Sequence, residues 1–150
     1  MLVTGGAGFI GSNLTDALIE AGHKVTIIDN LSTGKKANIN PKARFIKADI
    51  TDLKKIKPYF KGIDIVFHLA ALARIQPSII NPIPTLEVNA MGSLNVLVAA
   101  RDTGVKRIVY SASSSEYGDQ ITLPLTEDMK PNMKNPYAVS KFVGEALCPV

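Results

Sequence analysis

Gly5, Gly8 and Gly11 stand in the run Thr4-Gly5-Gly6-Ala7-Gly8-Phe9-Ile10-Gly11, a spacing that suits a chain turning tightly beside a phosphate. Gly5 permits the turn, Gly8 lets a pyrophosphate approach the backbone, and Gly11 lets a following helix pack close to a sheet. The free N–H groups and partial positive charge of that helix N-terminus suit phosphates. A merely glycine-rich turn contains as many glycines. Here, however, they lie between the apolar run Leu2-Val3 and a helical pattern, and Asp29 ends the next apolar run 18 residues after Gly11. A carboxylate at that point accepts hydrogen bonds from adenosine ribose hydroxyls and repels a 2′-phosphate, so the set reads as a dinucleotide site favouring NAD over NADP. Lys35 and Lys36 keep NADP open. Asp49-Ile50, closing a third apolar run, could meet the adenine or simply terminate a strand.

A second constellation lies far along the chain. Tyr137 and Lys141 are four residues apart and share one face of a helix. A phenol of pKa ~10 is a poor base at neutral pH. A nearby ammonium, aided by the positive charge of an oxidised nicotinamide, favours the phenolate. The same pair also recurs by chance on surface helices. Ser111, Ser113, Ser114 and Ser115 follow strand five, whose carboxyl end faces the nicotinamide in a doubly wound sheet, and a hydroxyl there can bond a reacting oxygen. His23 and His68 lack companions at metal-ligand spacing, so both read as structural, His68 buried at a strand end, and no metal site is expected.

These residues need an alternating scaffold. Lys24–Ile28, Arg44–Lys47, Ile63–His68 and Arg107–Ser111 read as strands after Leu2-Val3. Between them, Phe9, Ile10, Leu14, Leu18 and Ile19 recur at helical spacing until Gly22, a plausible stop. Residues 31–42 read as loop. Thr51 or Asp52 can cap a helix through Tyr59, interrupted near Pro58. After Pro77, Pro82 and Pro84 a long helix runs to about Thr103, with Gly104 as its stop. Residues 113–136 read as a long loop, and Tyr137–Leu147 as a helix with Pro136 near its first turn. Apolar strands separated by helices predict an α/β fold, a Rossmann-type doubly wound parallel sheet with helices on both faces and ligands at the carboxyl ends.

Composition bounds the alternatives. With 150 residues, 46% of them hydrophobic, the chain is one domain with ample apolar material for a core. No run of about 18 consecutive apolar residues suggests a bilayer span, and no membrane partner is expected. The first residues lack the pattern of a signal peptide, and the single Cys148 has no disulfide partner, so the cytoplasm is the default compartment. Residues 1–75 carry 11 Lys and Arg against 6 Asp and Glu, whereas residues 76–150 carry 6 against 7. That asymmetry could suit a polyanion. Lys54, Lys55, Lys57 and Lys61, interleaved with Ile56 and Phe60, read instead as a solvated helix face, and nucleic acid is not expected as a partner.

The chain resembles the extended short-chain dehydrogenase/reductase family and, within it, the nucleotide-sugar 4-epimerases. The resemblance rests on TGGAGFIG at 4–11, DNLSTGK at 29–35, ADI at 48–50, HLAA at 68–71, VNAMGSLNVL at 88–97, YSASSSEYGD at 110–119 and NPYAVSK at 135–141. It implies that Gly5, Gly8, Phe9, Ile10 and Gly11 hold the pyrophosphate side of NAD, and that Asp29 and Asn30 meet the adenosine ribose, with Ser32, Thr33 and Gly34 around it. By the same resemblance Asp49 and Ile50 meet the adenine, Leu69, Ala70, Ala71 and Ala73 line the central part of the cofactor, Asn89 lies nearby, and Ser111 sits near the nicotinamide. Ser113 is implied as the catalytic hydroxyl, Tyr137 as the base, and Lys141 as its partner and a holder of the nicotinamide ribose. The activity implied is epimerisation of a UDP-sugar of the glucose/galactose type, in which Tyr137 takes the 4′-hydroxyl proton while C4′ is oxidised by NAD, then reduced from its other face.

Departures from the family pattern qualify that reading. Ser113-Ser114-Ser115 stands where sugar 4,6-dehydratases of the family carry Thr-Asp-Glu, and UDP-glucuronate decarboxylases resemble Thr-Ser-Glu there, whereas Glu116 is displaced by one residue. Ala73 replaces a lysine found in some epimerases, and the run 73–78 is similar to epimerases that accept N-acetylated sugars. Related enzymes continue into a region that holds the nucleotide of the substrate, so the expectation is a cofactor-binding part of a longer enzyme with an incomplete UDP-sugar site, an exposed pairing edge near strand five, and a homodimer formed through the 84–103 and 137–147 helices. The alternatives are a non-catalytic NAD(P)-binding or regulatory module, or a decarboxylase or dehydratase of the same family.

Overall fold

The computed structural model describes residues 1–148. Five strands, β1 (Leu2–Thr4), β2 (Thr26–Asp29), β3 (Arg44–Lys47), β4 (Ile65–His68) and β5 (Arg107–Tyr110), form one parallel sheet in the order β3-β2-β1-β4-β5. The chain leaves β1 in one direction to build β2 and β3 and returns past it to build β4 and β5. This reversal at β1 opens a crevice at the carboxyl ends of the strands, where ligands of doubly wound sheets sit. In register, Thr4 lies beside Ile28 on one side and His68 on the other, so the strand ends are level across the crevice.

The central strands are short and apolar because both faces are covered. Leu2, Val3, Ile27, Ile28 and Val66 are buried, and on one face Leu2, Ile28 and Val66 pack with Ile56, Phe60, Val96 and Ala99. The lysines around Ile56 and Phe60 point outward while those two side chains are fully buried, so that segment is a solvated face of a core element. Lys57 pairs with Asp102 at 2.8 Å. β5 is different: it alternates between exposed and half-buried residues, and among the described residues β4 is its only strand neighbour.

Six helices cover the sheet: α1 (Phe9–Glu20), α2 (Leu53–Ile56), α3 (Ile75–Ile80), α4 (Pro82–Leu86), α5 (Gly92–Thr103) and α6 (Pro136–Leu147). The expected stops hold, with the chain leaving α1 through Gly22 and α5 through Gly104. Asp52 caps α2, its carboxylate accepting the Lys55 N–H, and beyond Ile56 the chain tightens into a 3-10 turn over Lys57–Phe60 around Pro58. Three details depart from the sequence reading. Residues 75–80, to which the sequence reading assigns no element, form α3, since a proline in the first helical turn gives up no hydrogen bond. The long helix starts at Pro82 rather than after Pro84, for the same reason. The expected loops contain short 3-10 turns at Lys36–Asn38 and Ser114–Glu116.

The helical run Pro82–Thr103 is continuous, long and apolar enough by those measures to cross a membrane, but in its second half Val96, Ala99 and Ala100 are buried in the core of the sheet domain. Between α4 and α5 it widens into one π turn, Glu87–Met91, centred on Asn89.

Candidate functional site

The glycine run connects β1 to α1 by a turn with almost no spare room. Gly5 has φ +73°, and a Cβ there would lie 2.7 Å from the Ala70 backbone nitrogen, so the turn rests directly on the chain leaving β4. A Cβ on Gly11 would collide with the carbonyl oxygen of Gly5, so the first turn of α1 lies against the loop. No side chain caps α1, and no acidic residue occupies its first turn, which leaves its leading N–H groups and positive dipole end to a ligand.

Asp29 ties this loop to β2. Its Oδ2 accepts the Ala7 N–H at 3.0 Å and its Oδ1 the Leu31 N–H at 2.7 Å. The carboxylate therefore shapes the loop from within, and each oxygen keeps a further lone pair for a ribose hydroxyl. Asn30 continues the arrangement: its amide donates to Asp49 at 2.7 Å and its Oδ1 accepts the Ser32 N–H at 2.9 Å. Burial pushes the Asp49 carboxyl up, but hydrogen bonds from Thr51 and Asn30 and the Lys55 charge outweigh it and hold it below the usual carboxylate range.

These elements enclose a cleft of about 520 Å³, open to solvent. Gly5, Gly8, Asp29, Asn30, Ser32, Thr33, Gly34, Ile50, Leu69, Ala70 and Ala71 line it, all singled out from sequence. Ile28, Ala48, Leu72 and Val88 line it as well and were missed; the first two lie at strand ends, a signal that position alone could have supplied. Other expected residues fall outside the lining. Phe9 and Ile10 are exposed on the first turn of α1, Gly11 is buried behind it, and Asp49 is occupied in holding Asn30 and Thr51. Ala73 is exposed ahead of α3. The uncapped helix start, the glycine cradle and the Asp29 carboxylate fit a dinucleotide.

From this cleft a buried polar chain leads to α6. The Thr4 hydroxyl meets His68 Nδ1 at 2.6 Å, His68 Nε2 meets Ser93 Oγ at 2.9 Å, and Ser93 donates to the Asn89 carbonyl. One assignment satisfies the series: Thr4 donates to Nδ1, and Nε2–H donates to Ser93. Burial, with the Lys141 charge second, pushes the His68 pKa down to about 3, so the imidazole stays neutral. Asn89, on the π turn, accepts the Leu72 N–H at 2.8 Å and donates to the Leu72 carbonyl and, at 3.0 Å, to Ser140 on α6. The Tyr137 N–H donates to Ser78 Oγ at 3.2 Å, which joins α6 to α3. Asn89 thus does not line the cleft; it fixes the cleft wall to the helix that carries Tyr137 and Lys141.

Lys141 is buried. Its ammonium donates to the Ser111 carbonyl and stands 4.3 Å from the centre of the Tyr110 ring. Burial pushes its pKa down to about 8, against the opposing charge of Glu116. Tyr110 in turn donates to the Lys141 carbonyl at 3.1 Å, and burial holds its phenol well above the ordinary range. Tyr137 is half-buried one turn earlier on α6. Ser113 caps the 3-10 turn, its Oγ accepting the Ser115 N–H at 3.3 Å and lying 2.8 Å from Ser115 Oγ. Among the described residues no group of acidic, histidine or cysteine side chains could hold a metal ion.

Sheet order, crevice and glycine turn together define a Rossmann-type dinucleotide-binding domain. A sequence model of the NAD dependent epimerase/dehydratase family matches residues 1–149, and the chain belongs to that family, whose cofactor is NAD. A putative UDP-glucose 4-epimerase of Methanocaldococcus jannaschii is 44% identical over 149 residues, 97% of this chain and 48% of the relative. The crystal structure of Thermus thermophilus UDP-glucose 4-epimerase in complex with NAD superposes with a TM-score of 0.91 at 38% identity, covering 97% of this chain and 48% of that one. A UDP-N-acetylglucosamine 4-epimerase from Methanobrevibacter ruminantium, in complex with UDP-N-acetylmuramic acid, gives 0.91 at 40% identity over 97% and 47%. The chain spans about half the length of the curated relatives it matches.

Proposed function

We propose that this protein serves an NAD-dependent nucleotide-sugar 4-epimerase, acting on UDP-glucose and UDP-galactose or their N-acetylated counterparts, and that these residues bind the cofactor and carry the acid–base group. The observation that carries the reading is the buried Lys141 ammonium one turn beyond Tyr137 on α6, donating to the Ser111 carbonyl, on a helix that Asn89 joins through Ser140 to the wall of the dinucleotide cleft. NAD, when bound, supplies the two-electron oxidation of the sugar and its reversal. The chain's own groups do the rest. Asp29 holds the adenosine ribose, and the start of α1 with Gly5 and Gly8 receives the pyrophosphate. Ser32, Thr33 and Gly34 surround the ribose; Asn30 and Ile50 close the adenine end, with Asp49 behind them holding Asn30; Leu69, Ala70 and Ala71 flank the middle.

Tyr137 accepts the proton of the 4′-hydroxyl as C4′ becomes a ketone and returns it when the alcohol reforms. Lys141 stabilises the negative charge on the phenolic oxygen and is placed to hold the nicotinamide ribose. Ser113 turns its hydroxyl from Ser115 to the reacting oxygen. Ala73 and the start of α3 lie where the family resemblance draws the N-acetyl comparison. The protein is further proposed to pair with a second copy, since Ile83, Leu86 and Met91 form an exposed apolar stripe on the Pro82–Thr103 helix and Val139 is exposed on the neighbouring α6.

The test is interconversion of UDP-galactose and UDP-glucose by the full-length gene product, without added NAD and with Tyr137→Phe as control. Turnover that Tyr137→Phe abolishes, without loss of the bound nucleotide, is expected. Saturable NAD binding with no turnover on either sugar pair would replace this reading with a binding module.

A further inference from the structure

Glu116 is a buried acid that neither the cleft nor the proposed reaction uses. It is 3% exposed, at the end of the 3-10 turn that follows β5. Its Oε1 accepts the Ser113 N–H at 3.2 Å while the Ser113 side chain accepts from within the turn, a reciprocal capping box that fixes the backbone of Ser113. Its own carbonyl accepts the Asn132 N–H at 2.8 Å, which ties the turn to the segment leading into α6. The turn packs on α6, and the Glu116 carboxyl and the Lys141 ammonium hold the same short segment, at the Ser113 N–H and the Ser111 carbonyl.

We propose that Glu116 is a positioning residue of the Ser113–Tyr137–Lys141 site: one buried carboxyl clamps the backbone that presents Ser113 and supplies the counter-charge for Lys141. The proposal rests on the reading of that site given above and adds to it a third group, set behind the reacting atoms. A buried ammonium needs compensation. The Ser111 carbonyl and the Tyr110 ring offer only partial charges, and Glu116 is the buried carboxylate that raises the affinity of Lys141 for its proton.

The titratable groups around this pair set the direction of the effect. From α6, Lys141 favours the Glu116 carboxylate, whereas Glu145 opposes it. From the loop before α6, Glu127 lines the same cavity, and Tyr117 adjoins it. Tyr110 on β5 stays protonated, its pKa raised first by burial, with Glu116, Cys148 and Tyr137 adding smaller effects in the same direction. Around Lys141 the further groups are the neutral His68 of β4 and Cys148 at the end of α6. Burial first, and Glu145 second, push the Glu116 carboxyl up to about 7. Glu116 therefore ionises just below the range in which Lys141 would begin to lose its proton, and by ionising it keeps Lys141 charged to higher pH.

The test follows the two groups directly, by carboxyl-carbon NMR of Glu116 and side-chain nitrogen NMR of Lys141 across a pH titration of the nucleotide-free protein. In Glu116→Gln, which keeps an oxygen for the Ser113 N–H, the Lys141 midpoint falls by about one pH unit. In Glu145→Gln, a change at an exposed position, the Glu116 midpoint falls. Amide exchange at Ser113 stays slow in Glu116→Gln and accelerates in Glu116→Val. A Lys141 midpoint that is the same in wild type and Glu116→Gln overturns the proposal, as does a Glu116 midpoint insensitive to Glu145→Gln. Neither readout needs nucleotide or turnover. A protein that shows the coupling but epimerises no sugar would remove the proposed function and keep the pair; one that epimerises without the coupling would do the reverse.

Discussion

The two sides of the crevice are held in shape by different means. On the β1–β2–β3 side the cleft is made of backbone: a glycine turn pressed on Ala70, a helix start with no cap, and Asp29 and Asn30 accepting N–H groups from Ala7, Leu31 and Ser32. On the β4–β5–α6 side the shape is made by side chains that reach across long stretches of sequence, Asn89 to Ser140 and Leu72, Ser78 to Tyr137, Lys141 to Ser111. The first side uses steric fit, fixed dipoles and hydrogen-bonded carboxylates, with the Asp49 carboxyl held below its usual range. The second contains a histidine that burial keeps neutral, together with a buried carboxyl and a buried ammonium whose pKa values burial brings to about 7 and about 8. Binding a constant cofactor suits the former arrangement, and moving a proton suits the latter.

Breaking the backbone side is expected to have the largest effect. Gly5→Val forces a β-branched residue to a positive φ and drives its Cβ into the Ala70 backbone, at a cost of about 3 kcal/mol or more in denaturant unfolding, with loss of NAD binding. On the other side, Asn89→Leu strands the Leu72 N–H and carbonyl and removes the donor to Ser140 Oγ, whose own hydroxyl still donates to the Tyr137 carbonyl. A loss of about 2–3 kcal/mol is expected, together with faster amide exchange at Leu72.

A smaller, graded effect sharpens the contrast in pH response. His68 has a folded pKa near 3, below its unfolded value of 6.5, so the unfolded chain binds the extra proton. Stability is complete above about pH 6.5 and declines as pH falls towards 3, by at most about 1.4 kcal/mol per pH unit from this group. Urea unfolding at several pH values checks it, and His68→Asn should flatten the slope in that window. The smallest change is expected at Lys106, whose pair with Asp64 is exposed: Lys106→Ala leaves the thermal midpoint unmoved, and a clear drop would show that surface charge matters more to β5 than packing does.

The same division explains what the sequence revealed. The sheet, the glycine turn and Asp29 were legible because each depends on neighbours in the chain: strand patterns, a glycine spacing, a carboxylate at a strand end. α3 was not, because Pro77 and Pro82 read as breaks until their places in first helical turns are known. Asn89 was singled out as near the cofactor, yet it acts through Leu72 and Ser140, partners 17 and 51 residues away that no local pattern links to it. Glu116 was noticed only as a shift in a motif; its burial against α6 depends on packing between elements that the sequence leaves far apart.

The central claim is that the backbone side of the crevice forms a complete NAD cleft within these residues. Calorimetric titration of the purified protein with NAD⁺ tests it most directly. The account predicts saturable binding at one site per chain, weaker binding of NADP⁺ because its 2′-phosphate meets Asp29, and loss of binding in Gly5→Val. A folded protein that takes up no NAD⁺ at millimolar concentration, or that prefers NADP⁺, would contradict it.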